Sequence, residues 1–342
     1  MVATLLLVSI SVAGAYQVRT RVDLVVVPTS VRDGKGKLVT GLAQKDFTVF
    51  EDDIPQTISN FSDDPQPLSA AIVLDTGMSG NSMRRLVPLF ISLTSGFSQF
   101  DEMASFRYDH VVTQLSDFTN DHESIEKSFQ IVKAIAKTQP ATVAPGDPAP
   151  TAPKMLQTIL GLLNLGGYGG GVESTRPATE RLPTVISKRV DPSRVLFDAL
   201  YEAAKALETR PPSRRRIIFI VSDGQVTSAS NNHNFGEITD LLLRDNIELY
   251  SVNTDTDPID RRLGVLGSLA RATGGDEYRG LNVKSMENAF TRITEQARNQ
   301  YVLGYHSTNE VKDGLPTVRR IEVKGREAAW KITHRKGYTQ LP

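Results

Sequence analysis

Two continuous apolar stretches, residues 70–74 and 217–221, constrain the fold of this chain more than any other feature. The first is followed directly by Asp75, and the second by Ser222 and Asp223. Unbroken apolar runs of this kind are typical of parallel strands buried on both faces of a sheet. Helical patterns and further strands alternate between and after them. The sequence therefore predicts an α/β fold with a doubly wound, mostly parallel sheet that helices cover on both faces.

This α/β unit is expected to span residues 68–300, because the proline-containing segment 63–67 interrupts the pattern before it. Within the unit, residues 139–190 do not fit, since they are rich in Pro, Ala, Gly and Thr. Such a composition predicts a flexible insertion. Two roles remain open for this insertion, a disordered spacer or a specificity loop beside a binding site.

The flanking segments, residues 16–67 and 301–342, both have the pattern of β-structure. Turns spaced about ten residues apart predict about four short strands in the first segment and three in the second. Neither segment has enough strands for a stable domain of its own. We therefore expect one small β-sandwich formed by the N- and C-terminal segments, with the α/β unit inserted between them.

The first 15 residues resemble a secretory signal peptide, with an apolar stretch that ends in Ala13-Gly14-Ala15. The stretch is shorter than the roughly 20 residues that a membrane span needs. This interpretation predicts an exported protein, periplasmic, cell-surface or secreted, without a membrane span after cleavage. The alternative is a buried N-terminal strand, because no Lys or Arg precedes the apolar stretch.

Composition argues against several classes of function. The 39 Lys and Arg balance the 39 Asp and Glu, so no overall positive charge favours a nucleic acid or an anionic membrane. The chain has no cysteine, which excludes disulfides, thiolate nucleophiles and cysteine-ligated zinc. Its five histidines are scattered, so neither a histidine zinc site nor a Ser-His-Asp triad is expected. Together these observations predict a non-enzymatic protein.

Asp75 and Asp223 each follow a strand of the predicted sheet. The carboxyl ends of parallel strands share one edge, where ligand crevices form in such folds. Thr76, Ser79 and Ser222 add hydroxyl groups close by, and an all-oxygen site of this kind suits Mg²⁺, Ca²⁺ or Mn²⁺. The alternative is that the two aspartates only cap the helices that follow them.

Three segments of the α/β unit resemble the von Willebrand factor type A domain. They are residues 71–79, which end in Asp75-Thr76-Gly77-Met78-Ser79, residues 217–224, which end in Asp223-Gly224, and Leu196-Phe197-Asp198-Ala199-Leu200. The flanks resemble an exported, acidobacterial-type family of related proteins. The matching flank motifs are Asp46-Phe47 through Glu51-Asp52, Tyr301-Val302-Leu303-Gly304-Tyr305 and Arg335-Lys336-Gly337-Tyr338.

The resemblance implies a metal-ion-dependent adhesion site, in which five side chains hold a divalent ion and a partner protein supplies an acidic ligand. Asp75, Ser79 and Asp223 match the metal-ligand positions. Gly77 has no side-chain oxygen, and Arg194 stands where a threonine is expected, with Ser193 beside it. Losing two ligands weakens a site for Mg²⁺, which demands near-octahedral geometry. Either the ion persists, or the Arg194 guanidinium takes its place between the two aspartates.

The resulting hypothesis is an exported protein-binding module for adhesion or assembly. Its partner, a protein that presents an acidic residue, would contact a degenerate metal site, including Thr76, Gly77, Ser193 and Arg194. The alternative is a structural component of a cell-envelope assembly with a vestigial metal site. The tripeptide Asp75-Thr76-Gly77 also occurs in aspartic proteases, but those enzymes need paired carboxylates from two β-lobes.

Overall fold

The computed structural model of the chain describes residues 24–78, 83–84, 96–138, 195–226, 230–254, 264–279, 283–309 and 315–340. The expected signal peptide, the insertion 139–190 and the site positions Ser79, Ser193 and Arg194 lie outside these residues. None of the helices in the described ranges is long and apolar enough to cross a membrane.

A six-stranded sheet forms the centre of the α/β unit. In chain order its strands are β5 (Leu68–Asp75), β6 (Glu102–Tyr108), β7 (Val112–Thr119), β8 (Arg215–Ser222), β9 (Ile247–Asn253) and β10 (Glu277–Arg279). Their order across the sheet is β10-β9-β8-β5-β6-β7, and all pairs are parallel except the edge pair β6–β7. Every residue of β5 and β9 is buried, as the apolar sequence of β5 predicted.

Within the described ranges, five helices cover the sheet on both faces. They are α1 (His122–Thr138), α2 (Leu196–Glu208), α3 (Phe235–Arg244), α4 (Val265–Thr273) and α5 (Val283–Arg298). Helices α1 and α5 pack on the face that carries Ile72 and Phe219. Helices α2, α3 and α4 pack on the opposite face, which carries Val73 and Ile220. The doubly wound α/β sheet predicted from the sequence is confirmed.

Two four-stranded antiparallel sheets form the β-sandwich. The N-terminal segment supplies β1 (Leu24–Arg32), β2 (Phe47–Glu51), β3 (Ile54–Gln56) and β4 (Ile58–Ser62), and the C-terminal segment supplies β11 (Tyr301–His306), β12 (Thr317–Gly325), β13 (Lys331–His334) and β14 (Gly337–Gln340). The sheet orders are β13-β1-β11-β4 and β14-β12-β2-β3. Val27, Val49, Leu303 and Ile321 share one core, so strands from both segments fold together.

A buried carboxylate joins the two segments inside the sandwich. Glu51, at the end of β2, has no exposed surface. Its side chain accepts hydrogen bonds from the hydroxyl of Tyr305 (2.7 Å), the hydroxyl of Tyr338 (3.0 Å), the amide of Asn309 (2.8 Å) and the hydroxyl of Ser307. Glu51, Tyr305 and Tyr338 each belong to one of the flank motifs, so these motifs meet at one point of the sandwich core.

The sandwich packs against the amino edge of the central sheet. At the start of β8, the guanidinium of Arg215 donates to the side-chain oxygen of Gln300 (2.6 Å), which immediately precedes β11. The backbone N–H of Lys336 donates to the carbonyl of Ala272 (2.9 Å) near the end of α4. The opposite edge of the sheet, where the strands end, therefore lies away from the sandwich.

Candidate functional site

The strand order determines where a ligand crevice forms in this fold. Strands β5 and β8 are neighbours, and the chain leaves β5 towards β6 on one side and β8 towards β9 on the other. This reversal of direction is the topological switch point of a doubly wound sheet, and ligands bind outside the carboxyl ends of the strands there. Strand β5 ends at Asp75 and β8 ends at Ser222, with Asp223 next in the chain.

Three oxygen-bearing side chains meet at the switch point and are completely buried: Asp75, Tyr108 and Ser222. The Tyr108 hydroxyl lies 2.8 Å from the Ser222 hydroxyl and 3.0 Å from Asp75 Oδ2, and the Ser222 hydroxyl donates to the same Oδ2 at 2.9 Å. Since each hydroxyl has one proton, donation from Tyr108 to Ser222 and from Ser222 to Asp75 uses both. Asp75 Oδ1 accepts the backbone N–H of Gly77 at 3.0 Å.

The tyrosine of this cluster remains a hydrogen-bond donor at ordinary pH. The pKa of the Tyr108 hydroxyl is raised well above its usual value. Burial is the largest cause, and the nearby charge of Asp75 is the second. Residue Tyr108 ends β6 and is aligned with Asp75 in the parallel pair. The cluster therefore holds the end of β5 to both neighbouring strands, in an interior where unpaired polar groups are costly.

The loop after β5 is fixed to β6 by Thr76. Its backbone N–H and its hydroxyl both donate to the carbonyl oxygen of Tyr108, at 2.8 and 2.9 Å. Only 1% of Thr76 is exposed, so its hydroxyl supports the loop and is not presented to a partner. Met78 is equally buried, and its sulfur accepts the hydroxyl of Thr254 at 3.1 Å. Gly77 is half-buried between them.

The loop after β8 presents the second carboxylate of the site. Asp223 is half-buried, and its Oδ1 accepts the backbone N–H of the exposed Gln225 at 3.0 Å. Gly224 lies between them with φ +73°, a left-handed conformation that favours glycine. The Ser222 hydroxyl accepts the Gly224 N–H at 2.9 Å, which links this turn to the buried cluster.

The described residues place two carboxylates, Asp75 and Asp223, at this edge of the sheet. Within the described ranges, no group of three His, Asp or Glu side chains could hold a metal ion. Asp75 already accepts hydrogen bonds at both carboxylate oxygens, and Gly77 has no side chain to contribute. Of the seven residues that the sequence analysis selected, the described part contains Asp75, Thr76, Gly77 and Asp223.

Tyr108 was not among the residues that the sequence analysis selected. A signal did exist, because a strand that ends beside β5 in a parallel sheet brings its last residue to the same edge. Reading that signal requires knowing that β6 is the neighbour of β5, which the sequence alone did not show.

Comparison with known proteins gives distant likenesses only. Neither the sequence profiles of known families nor the curated proteins match this chain. Among solved structures, BatB from Bacteroides thetaiotaomicron is 11% identical, covers 67% of this chain and 98% of its own, and has a TM-score of 0.38. Manganese-loaded Plasmodium vivax TRAP protein is 9% identical, with 85% and 98% covered and a TM-score of 0.41.

A von Willebrand factor type A protein from Catenulispora acidiphila is also similar, at 8% identity, with 94% of this chain and 74% of that chain covered and a TM-score of 0.42. At this distance the likenesses say nothing about what this chain binds.

Proposed function

We propose that this chain is a non-enzymatic protein-binding module, and that its partner docks at the carboxyl-edge crevice around Asp75, Ser79, Arg194 and Asp223. The observation that carries the proposal is the position of the two aspartates at the switch point of the sheet. Asp75 is buried and held by hydroxyl groups, whereas Asp223 is half-buried on the loop that follows β8. The first organises the crevice, and the second is accessible to a partner.

The proposal takes the partner to present an acidic residue, as the sequence resemblance implies. Because Gly77 has no side-chain oxygen and Arg194 stands where a threonine ligand is expected, we propose that Arg194 is the group that pairs with this acidic residue. Arginine forms bidentate pairs with carboxylates, so it suits this role. Binding of the partner would then survive chelators.

Photo-cross-linking tests the docking site. A photoreactive residue at Gln225, which is exposed beside Asp223, is expected to give a discrete cross-linked product in cells that make the protein. The matched control is Phe100, which is 69% exposed and lies just before β6, at the amino edge. An excess of the unmodified protein should compete for the partner and reduce the amount of cross-linked product, whereas an excess of the Asp223→Ala variant should not. Equal products at both positions, or equal competition by both chains, would overturn the proposal and favour a structural component with a vestigial site.

Calorimetric titration with Mg²⁺, Mn²⁺ and Ca²⁺ tests the metal-free form of the proposal. We expect no saturable binding to the native chain. Saturable binding that is lost in Asp223→Ala would contradict the role assigned to Arg194 and would mean that Ser79 and other groups complete an ion site. A titration of Arg194→Thr, which restores the expected ligand type, is the matched comparison.

A further inference from the structure

The loop between β8 and α3 is anchored to the start of helix α2. Asn231 Oδ1 accepts the backbone N–H groups of Phe197 (2.8 Å) and Asp198 (3.3 Å), the first residues of the helix after Leu196. In return, the Asp198 carboxylate accepts the backbone N–H groups of Asn232 (2.9 Å) and His233 (3.1 Å) and the Asn232 side-chain amide (3.0 Å). The bonded residues are 34 positions apart in the sequence, and these reciprocal bonds hold the loop against the start of helix α2.

The same carboxylate orients the imidazole of His233. Nδ1 of His233 lies 2.9 Å from Asp198 Oδ1, and the ring stacks on Tyr201, with 3.7 Å between ring centroids. Because an ionised carboxylate only accepts hydrogen bonds, Nδ1 carries the proton, and Nε2 of the neutral ring is an acceptor. No described residue forms a hydrogen bond with Nε2. In its neutral form, His233 therefore offers a positioned acceptor beside helix α2.

Two adjoining cavities lie at this loop, and Asn232 and His233 line both of them. The first, which we name the acidic cavity, has a volume of about 410 Å³ and is lined by Phe106, His110, Val111, Asp198, Glu202 and His233, among others. The second, which we name the apolar cavity, has a volume of about 510 Å³ and includes Phe197, Val226, Phe235 and Val265. Both volumes fall in the range of ligand-binding pockets.

The acidic cavity matches a ligand that only donates hydrogen bonds. Its described lining contains two carboxylates, Asp198 and Glu202, and no Lys or Arg. Asp198 is used by the loop, whereas Glu202 is exposed and forms no hydrogen bond or ion pair with the described residues. The carboxylate of Glu202 is an acceptor, as is Nε2 of His233 in the neutral ring. The ammonium of lysine and the guanidinium of arginine have donors only.

The rims of both cavities carry exposed apolar side chains, Val111 at 59% and Phe235 at 39% exposure. Such side chains can cover the aliphatic stem of a long basic residue while its charged end reaches the acceptors. The cavities also lie at the carboxyl edge, since Phe106 belongs to the strand that ends at Tyr108.

We propose that these cavities bind a protein segment that places an arginine or lysine side chain in the acidic cavity and a neighbouring apolar side chain in the apolar cavity. The proposal rests on the proposed function in one respect, namely that a partner docks at this edge of the sheet. It adds the chemistry of a second contact, opposite in charge to the acidic residue expected at Asp223.

Nuclear magnetic resonance of the histidine rings tests the proposal on the full chain. His110 and His233 line the acidic cavity, and the other three of the five histidines serve as internal references. The probe is acetyl-Ala-Arg-Ala-Leu-amide. Its controls replace Arg with citrulline, which is neutral and nearly isosteric, or replace Leu with Ala. We expect saturable shifts confined to the two cavity histidines, and binding at least about threefold weaker for the citrulline peptide, a difference within the range of exposed charge pairs.

Two variants decide which residues are responsible. Glu202→Gln should weaken binding of the arginine peptide and leave the citrulline peptide unchanged. Glu208→Gln, an exposed glutamate of the same helix that lines neither cavity, should have no effect. Equal binding of all peptides, equal shifts at all five histidines, or no shift up to the solubility of the peptide would each overturn the proposal. Asp223→Ala should retain peptide binding, so failure of this proposal is distinguishable from failure of the docking site.

Discussion

Replacing Glu51 by alanine should destabilise the β-sandwich substantially, since this one carboxylate accepts four hydrogen bonds from the C-terminal segment. Of the four donors, the Tyr305 hydroxyl is fully buried and has no access to water after the substitution. A buried polar group left without a partner costs about 1–3 kcal/mol. The donors of Tyr338, Ser307 and Asn309 are half-buried, so water compensates for much of their loss.

Summing these contributions, and adding the small cavity that the side chain leaves, we expect a loss of about 2–4 kcal/mol. A loss of this size is a large fraction of the stability of a typical domain, which is about 5–15 kcal/mol. The matched control is Glu322→Ala on β12, a glutamate whose side chain is 49% exposed. The control should change the free energy of unfolding by less than about 0.5 kcal/mol.

Urea unfolding provides the assay, with two signals that report different parts of the chain. The single tryptophan, Trp330, packs against the sandwich core, so its fluorescence follows the sandwich. The described α-helices all belong to the α/β unit, so helical circular dichroism follows that unit. Glu51→Ala should move the fluorescence midpoint to lower urea. A fluorescence midpoint that moves no further than in Glu322→Ala would refute the reasoning that this carboxylate joins the two segments.

Three further predictions concern single positions. Tyr108→Phe removes the buried hydroxyl that donates to Ser222 and should cost about 1–2 kcal/mol in urea unfolding. A wild-type-like result would count against the buried cluster. Burial and, to a lesser extent, the positive charge of Lys336 lower the pKa of His334 to about 4. As pH falls from about 6.5 towards 4, this histidine gains a proton in the unfolded state before it does so in the folded state. The free energy of unfolding should therefore decrease over this range, by up to about 3 kcal/mol. In urea titrations at several pH values, a His334→Gln variant should show a weaker dependence of the unfolding free energy on pH. Gly275→Ala would place a Cβ 1.9 Å from a backbone oxygen of β9 and should destabilise the protein by about 2 kcal/mol or more. The control is Gly264→Ala, which has open space around the new Cβ and should be tolerated. Melting temperatures of the two variants provide the comparison.

The buried strands were predictable because their sequences carry the signal themselves. Residues 70–74 and 217–221 are apolar without interruption, and the structure places them in β5 and β8. Short edge strands carry no such signal. Strand β10 has three residues at the sheet edge, and β14 follows β13 after a two-residue connection, so neither was predicted.

The site was only partly predictable, because its side chains come from strands whose order the sequence does not state. Asp75 and Ser222 stand at the ends of apolar runs, and their proximity follows from a parallel sheet. The pairing of His233 with Asp198 depends on a loop that returns to a helix 35 residues earlier, so spacing gave no hint of it. Histidines that are scattered in sequence can therefore still acquire carboxylate partners through the fold.

The place where the α/β unit leaves the sandwich has a mechanical consequence. The unit departs after β4 and returns at β11, and these strands are hydrogen-bonded neighbours, with Ser62 paired to Val302. Tension applied to the outer strands of the sandwich is therefore transmitted across the β4–β11 ladder and bypasses the inserted unit. The sandwich is expected to bear a pulling force first, and the edge with Asp75 and Asp223 would keep its geometry while the load rises.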